Sequence, residues 1–173
     1  TGLGNTGIGM FIIAVAAALL FTLLFRASAT HVARMVTTRI GRRRIRRILG
    51  AHSRDVIEDV ILPGAYGGLT HVDHAILTSG GILCIQTKHY NGVVFGEEDE
   101  PQWTNVDGVQ RRKFLNPLIQ NEGRTRALRK VVPGVPVSSL VVFTGSIQLT
   151  SPLPQNVIHV RDLESYISKF VFG

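Results

Sequence analysis

Thr70-His71-Val72-Asp73-His74-Ala75-Ile76-Leu77-Thr78-Ser79-Gly80-Gly81-Ile82-Leu83-Cys84-Ile85-Gln86-Thr87-Lys88-His89-Tyr90 reads as two β-strands around a glycine turn. The runs Leu69 to Thr78 and Ile82 to Thr87 are rich in β-branched and apolar residues, and a Gly pair supplies the positive φ angles that tight hairpins need. A two-residue loop at Ser79-Gly80 sets Asp73 opposite Gln86; one at Gly80-Gly81 sets Asp73 opposite Lys88. Side chains alternate with period two, so either register projects Asp73, Gln86 and Lys88 from one face. A carboxylate, an amide oxygen and an ammonium then converge. On residue types alone the same pattern also describes a half-buried hairpin with a polar wet side.

Working outward, Val56 to Leu62 is β-rich and ends at Pro63-Gly64, with Gly67-Gly68 beyond, so a strand and turn lead into the hairpin. Within Asn91 to Asp107, Glu97, Glu98, Asp99 and Glu100 form an acidic patch before Pro101 that reads as a solvated loop, with a cation or a basic partner as the alternative. Trp103 anchors its return, with the ring buried and the indole N–H on an acceptor. Asn116 followed by Pro117 is a helix start, and Pro133-Gly134 a stop. On that helix Leu128, Val131 and Val132 are expected to face the core. Arg124, Arg126, Arg129 and Lys130 are expected to join Arg111, Arg112 and Lys113 in a basic cluster. Val137 to Thr144 and Asn156 to Val160 read as strands, and Asp162 as the cap of a last helix through Phe170. With the helix upstream, the order is helix, three strands, helix, strand, strand, helix: an α/β fold. Neither a Walker loop, a Cys/His zinc pattern nor a Gly-x-Ser-x-Gly elbow occurs, so those chemistries are not indicated.

Charge is unevenly placed along the 173 residues, whose net charge is +7. Residues 1–54 carry nine arginines and no acid, whereas residues 55–173 carry ten Lys+Arg against twelve Asp+Glu. The single cysteine, Cys84, rules out an internal disulfide and sits in an apolar run, as a core residue does. Thr1 to Phe25 holds no charge and Ile8 to Phe25 is almost wholly apolar, long enough to cross most of a ~30 Å hydrocarbon layer. Residues 1–29 therefore read as a transmembrane anchor and 30–173 as the domain it carries. A secretory signal peptide cleaved near Ala27-Ser28-Ala29 is the competing reading, but the basic n-region is missing. Arg26, Arg34, Arg39, Arg42, Arg43, Arg44, Arg46 and Arg47 follow directly. The positive-inside bias thus expects a single pass in the bacterial inner membrane with the domain facing the cytoplasm. Thr30 to Leu49 reads as a helix with an apolar stripe of Val36, Ile40, Ile45, Ile48 and Leu49. Its arginines suit anionic headgroups, with DNA phosphate as the alternative partner.

Asp73 followed by Gln86-x-Lys88 at the end of an apolar strand resembles the PD-(D/E)xK nuclease signature in a variant with Gln for the second acid, as in Mrr-type restriction endonucleases. The whole pattern resembles the nuclease-related domain (NERD) more closely. It comprises Gly41, Val72-Asp73-His74, Gly81-Ile82, Gln86-Thr87-Lys88-His89-Tyr90-Asn91-Gly92, Trp103 and Asn116-Pro117-Leu118-Ile119-Gln120-Asn121. The resemblance implies the αβββαβ restriction-endonuclease-like core and metal-dependent phosphodiester hydrolysis. Asp73, Gln86 and Lys88 would be catalytic. Asp73, Gln86 and the Thr87 backbone carbonyl would hold Mg²⁺ or Mn²⁺. Arg111, Arg112, Lys113, Gln120 and Arg124 would bind nucleic acid, with DNA the expected substrate. His71, His74 and His89 are expected to be structural. Two departures from the family pattern stand out: Arg42 follows Gly41 where Glu is usual, and Gln86 replaces Glu. Arg42 is expected beside the metal, where its charge would oppose the cation. A domain that binds nucleic acid or a protein partner without cutting, or an adaptor that grips lipid, are the alternatives.

Overall fold

The computed structural model describes residues 15–24, 39–150 and 152–172, side chains of 170–172 excepted. The chain divides into two units, Thr1–Arg39 and Ile40–Gly173. In the first, residues 15–24 are helical. Much of the expected membrane span, with Arg26 and Arg34 just after it, falls outside the described residues. Among the described residues no helix is long and apolar enough to cross a membrane.

The second unit is a mixed α/β structure with two sheets. It begins in a helix over 39–52, α1. Three strands follow, β1 (Val56–Pro63), β2 (Leu69–Thr78) and β3 (Gly81–His89). Then come β4 (Gly92–Phe95), β5 (Gln102–Asp107) and β6 (Gln110–Leu115). Helix α2 (Pro117–Val131) leads to β7 (Val137–Thr144), β8 (Ile147–Leu149) and β9 (Val157–His159). One 3₁₀ turn, Val160–Asp162, precedes α3 (Leu163–Phe172). The turn is capped by the His159 side chain, not by Asp162, which lies inside it.

The larger sheet has the order β1-β2-β3-β7-β9. Its first three strands are antiparallel neighbours, while β3, β7 and β9 run parallel, with α2 in the crossover between β3 and β7. Helices cover both faces, which is why β3 and β7 read as near-continuous apolar runs. On one face Ile45 and Leu49 of α1 and Leu163 and Ile167 of α3 meet Ile76, Leu83, Ile85, Leu140 and Val142. On the other, Leu128 of α2 meets Ala75, Cys84 and Val137. The stripe expected on α1 is narrower than its sequence suggests, since Ile40 is exposed. Val131 is exposed too, and its place in the α2 core is taken by Ala127, Asn121 and Thr125. Gly41 lets α1 approach the sheet: a Cβ there would lie 3.0 Å from Thr144 Oγ1.

Residues 97–100 form the solvated loop expected of them, but its flanks, β4 and β5, belong to a second sheet, β6-β5-β4-β8, that the sequence does not announce. Its strands are short, and β6 is a run of charge with Phe114 its one side chain that is not exposed. Charged side chains are how an edge strand avoids pairing with another chain, so the feature that protects β6 also disguises it. Phe114 stacks on Tyr90 with centroids 4.6 Å apart. Trp103 is fully buried, stacked on Phe143, with its indole N–H donating to Glu97 O at 2.8 Å, as expected from sequence. Gly96 makes room for it, because a Cβ would come within 2.3 Å of the indole ring.

Candidate active site

The β2–β3 turn closes with Thr78 opposite Gly81, so Ser79 and Gly80 form the loop, and the last paired residues are His74 and Ile85. Of the two registers open in the sequence, this is the one that sets Asp73 across from Gln86. Asp73 ends that ladder by bonding the backbone: Oδ2 accepts the Thr87 N–H at 2.8 Å. Its other oxygen faces His71 Nδ1 at 3.1 Å, and the side chain is 13% exposed. The carboxylate is thus held by two donors while keeping access to solvent.

Lys88 reaches Gln120 of α2, with Nζ donating to Oε1 at 2.6 Å. The Gln86 amide turns its oxygen toward Lys88 Nζ at 3.2 Å and Arg124 Nη1 at 3.3 Å, and its nitrogen donates to Pro117 O at 2.8 Å. The opposite orientation would set an NH₂ group against two cations. Arg124 is itself fixed, donating from Nε to His71 O at 2.7 Å and from Nη1 to Gln120 O at 3.0 Å. Burial pushes the Lys88 ammonium below its ordinary pKa; Arg124 pushes the same way, and Asp73 opposes both. The site is a half-buried knot of one carboxylate, two amide oxygens and two cations.

Asn116-Pro117-Leu118-Ile119-Gln120-Asn121 divides its labour. Asn116 caps α2 by accepting the Leu118 N–H, while its amide nitrogen holds the acidic loop through Glu98 O at 2.9 Å and Glu100 O at 2.7 Å. Asn121, fully buried, donates to Cys84 O at 3.0 Å, Ser139 Oγ at 2.8 Å and Leu140 O at 3.2 Å. These two asparagines seat the helix so that Gln120 arrives at Lys88. Cys84 is core, as expected: burial pushes its thiol up to about 12, and it donates to Asn121 Oδ1.

Arg111, Arg112 and Lys113 are not gathered with Arg124. They lie exposed on β6, an edge of the second sheet, where Arg111 sits over the Phe95 ring and Arg112 bonds Gln110. The other basic residues of α2 are also engaged singly, Arg126 and Arg129 with Glu122 and Lys130 with Ala65 O. The cluster expected from sequence is therefore dispersed.

Thr87 gives its N–H to Asp73, and its side chain projects to the opposite face, where Oγ1 is buried without a partner among the described residues. His74 shares that face; burial lowers its pKa against the pull of Glu58, the nearest acid. His89 bonds Thr144 Oγ1 at 2.9 Å, a structural role. His71 differs. Its Nε2 lies 3.2 Å from Asp59 Oδ1 and its Nδ1 faces Asp73, so only the protonated ring donates to both. Arg42 completes the chain on the far side, 3.3 Å from the same Asp59 oxygen. The guanidinium expected beside the metal instead neutralises Asp59, two contacts away from Asp73. His71 was legible in principle, being two residues from Asp73 and hence on its face. Asp59 could be named from sequence only as one of three nearby acids, with Asp55 and Glu58, since no motif marks it; its contacts with His71 and Arg42 and its φ of 50° belong to the tertiary structure.

The sequence model of the nuclease-related domain matches residues 37–144, more than half of the chain. The protein belongs to the nuclease-related domain family. Through it the chain falls in the PD-(D/E)xK superfamily, as Asp73 and Gln86-x-Lys88 imply. The NERD match spans α1 to the end of β7 and so contains every residue of the knot just described. An uncharacterized protein of Bacillus anthracis is similar, 27% identical over 122 residues, covering 66% of this chain and 57% of the relative. The chain thus spans a little over half the length of that relative. No solved structure matches.

NERD domains generally use divalent metals, and the donors here suit a hard cation. Asp73 offers a carboxylate and Gln86 an amide oxygen, which in this structure accepts from Lys88 and Arg124, while the Gln120 oxygen is taken by Lys88. Among the described residues there is no cluster of three or more His, Cys, Asp or Glu side chains able to hold a metal. Mg²⁺ tolerates that sparseness, since it keeps several waters and takes one or two carboxylates plus phosphate oxygens.

Proposed function

We propose that this chain is a membrane-anchored, divalent-metal-dependent nuclease that acts on nucleic acid, DNA foremost, on the cytoplasmic side. The observation that carries the catalytic reading is the Lys88 ammonium, held between the Gln86 and Gln120 amide oxygens beside Asp73. Hydrolysis forms a bond from a water oxygen to phosphorus and breaks the bond to the leaving sugar oxygen, which takes up a proton. Negative charge grows on the phosphate meanwhile. Asp73 and Gln86 would hold the Mg²⁺ or Mn²⁺ ion, which when bound would polarise the phosphate and lower the pKa of a water. Lys88 meets a non-bridging oxygen, where a fixed cation in a half-buried site stabilises the developing charge. Arg124 keeps Gln86 and Gln120 aligned and adds attraction for the incoming phosphate. Asp73 is kept in place by Thr87 N–H and His71, so little reorganisation is needed.

The anchor rests on the uncharged stretch Thr1 to Phe25 and the arginines that follow, and protease added to intact cells should leave the domain uncut. One observation favours a binding role without cleavage: the other acid near the site, Asp59, is taken by Arg42 and His71. A single experiment separates the two. Purified protein with Mg²⁺ or Mn²⁺ should cut plasmid DNA, EDTA should stop it, and Lys88→Ala and Asp73→Ala should each lose at least about a hundredfold in rate. Cleavage that survives chelation, or persists in both variants, removes the mechanism; absent cleavage with retained DNA binding supports the binding role.

A further inference from the structure

The β1–β2 hairpin does more than lead into the site. Ile76 and Val56 pack on the α1 side of the sheet, yet Val72, of the same parity as Ile76, packs with Val60 and Leu62 against Leu128 and Val132 of α2. The change of side falls at Asp59, whose backbone is in the left-handed region with φ 50°. Beyond it the hairpin is an arm laid across α2. Arg124 ties it at His71 O, Lys130 ties its tip at Ala65 O at 2.5 Å, and Arg126 donates to the Tyr66 hydroxyl.

Tyr66 stands at that tip, flanked by Gly64, Gly67 and Gly68, and is 81% exposed. Nothing in the core uses its ring. Arg126 lies over one face, its guanidinium carbon 5.7 Å from the ring centroid, so the ring is oriented but not covered. An exposed, oriented aromatic with Arg126 on its ring and Lys130 bonded to the neighbouring Ala65 O is the chemistry that binds unpaired nucleotides: bases stack on the ring while cations meet the backbone. The arm that carries Tyr66 is tied to the site itself, since Arg124 holds both His71 O on the arm and Gln120 O beside Lys88.

We infer that Tyr66 and Arg126 form a stacking subsite for an unpaired base, so that the site takes single-stranded nucleic acid or a frayed end in preference to intact duplex. The inference rests on the nucleic-acid reading of the Lys88 site and adds its substrate class. A duplex keeps its bases stacked inside and offers none to Tyr66.

The test is binding, measured in EDTA so that no cleavage intervenes, by fluorescence anisotropy of the full chain with labelled oligothymidylate and with a duplex of equal length. Tyr66→Ala should weaken oligothymidylate binding about tenfold and duplex binding less than twofold, and Tyr66→Trp should restore the former. An exposed ring contributes little to stability, so neither change should unfold the domain, and circular dichroism checks it. Equal losses on both ligands, no loss on either, or failure of Tyr66→Trp to restore binding overturns the subsite. If wild type binds neither ligand, the nucleic-acid reading falls along with the subsite. If wild type binds and Tyr66→Ala is unchanged, only the subsite falls.

Discussion

Arg124 on α2 and the Arg111-Arg112-Lys113 run on β6 carry charge of the same sign, but the fold uses them differently. Arg124 has its Nε and Nη1 donors committed to the backbone of His71 and Gln120, and the guanidinium faces the Gln86 oxygen. The β6 residues are exposed on an edge strand. A guanidinium bonded in place acts at full strength in a half-buried site, while an exposed one is screened by salt within about 8 Å. The difference lies in what surrounds each group, and residue type alone says nothing about it.

The largest expected effect tests what seats Arg124. Asn121→Ala removes the three hydrogen bonds its amide nitrogen donates and the one its oxygen accepts from Cys84, and it strands buried carbonyls of β3 and β7, so urea unfolding should show a loss of about 3 kcal/mol. Cys84, buried and with its thiol pushed up to about 12, should resist alkylation near pH 8 in the wild type and become reactive in the same variant. A Cys84 that stays protected would mean that α2 does not depend on Asn121. Arg124→Ala should then cost about tenfold in cleavage rate, and Arg124→Lys should recover little, because one ammonium cannot span both carbonyls. Full recovery by lysine would reduce Arg124 to a point charge like those on β6.

Replacing Arg111, Arg112 and Lys113 together by alanine should leave the rate at saturating DNA unchanged. It should weaken binding a few-fold at low salt and reduce the slope of log affinity against log salt by up to about 3. A collapse of the saturating rate would place β6 at the site after all. The smallest effect is expected from Arg42→Glu, which sets a carboxylate against Asp59 in place of an exposed ion pair. Stability should fall by less than about 1 kcal/mol, without the gain in metal affinity expected had Arg42 faced Asp73. Calorimetric titration with Mg²⁺ or Mn²⁺ decides it: tighter binding in the variant would show that residue 42 reaches the metal.

The sequence by itself determined the parts whose causes are local. Alternation and a glycine turn made the hairpin and placed Asp73, Gln86 and Lys88 on one face in either register, and Asn116-Pro117 started α2 where it begins; the choice of Ser79-Gly80 as the turn came from the structure. Buried Trp103 and core Cys84 followed from the same kind of reasoning. What only the tertiary structure decided depends on chain segments far apart. Gln120 meets Lys88 because Asn121 pins α2 to β3 and β7, a contact that no periodicity within α2 reveals. The second sheet was hidden because short strands carry little pattern, and because the charged edge of β6 looks like solvated loop until β5 pairs with it. Arg42 was placed correctly on α1 but given the wrong partner. A helix fixes the direction of a side chain, and it took the bend of β1 at Asp59 to bring an acid within its reach.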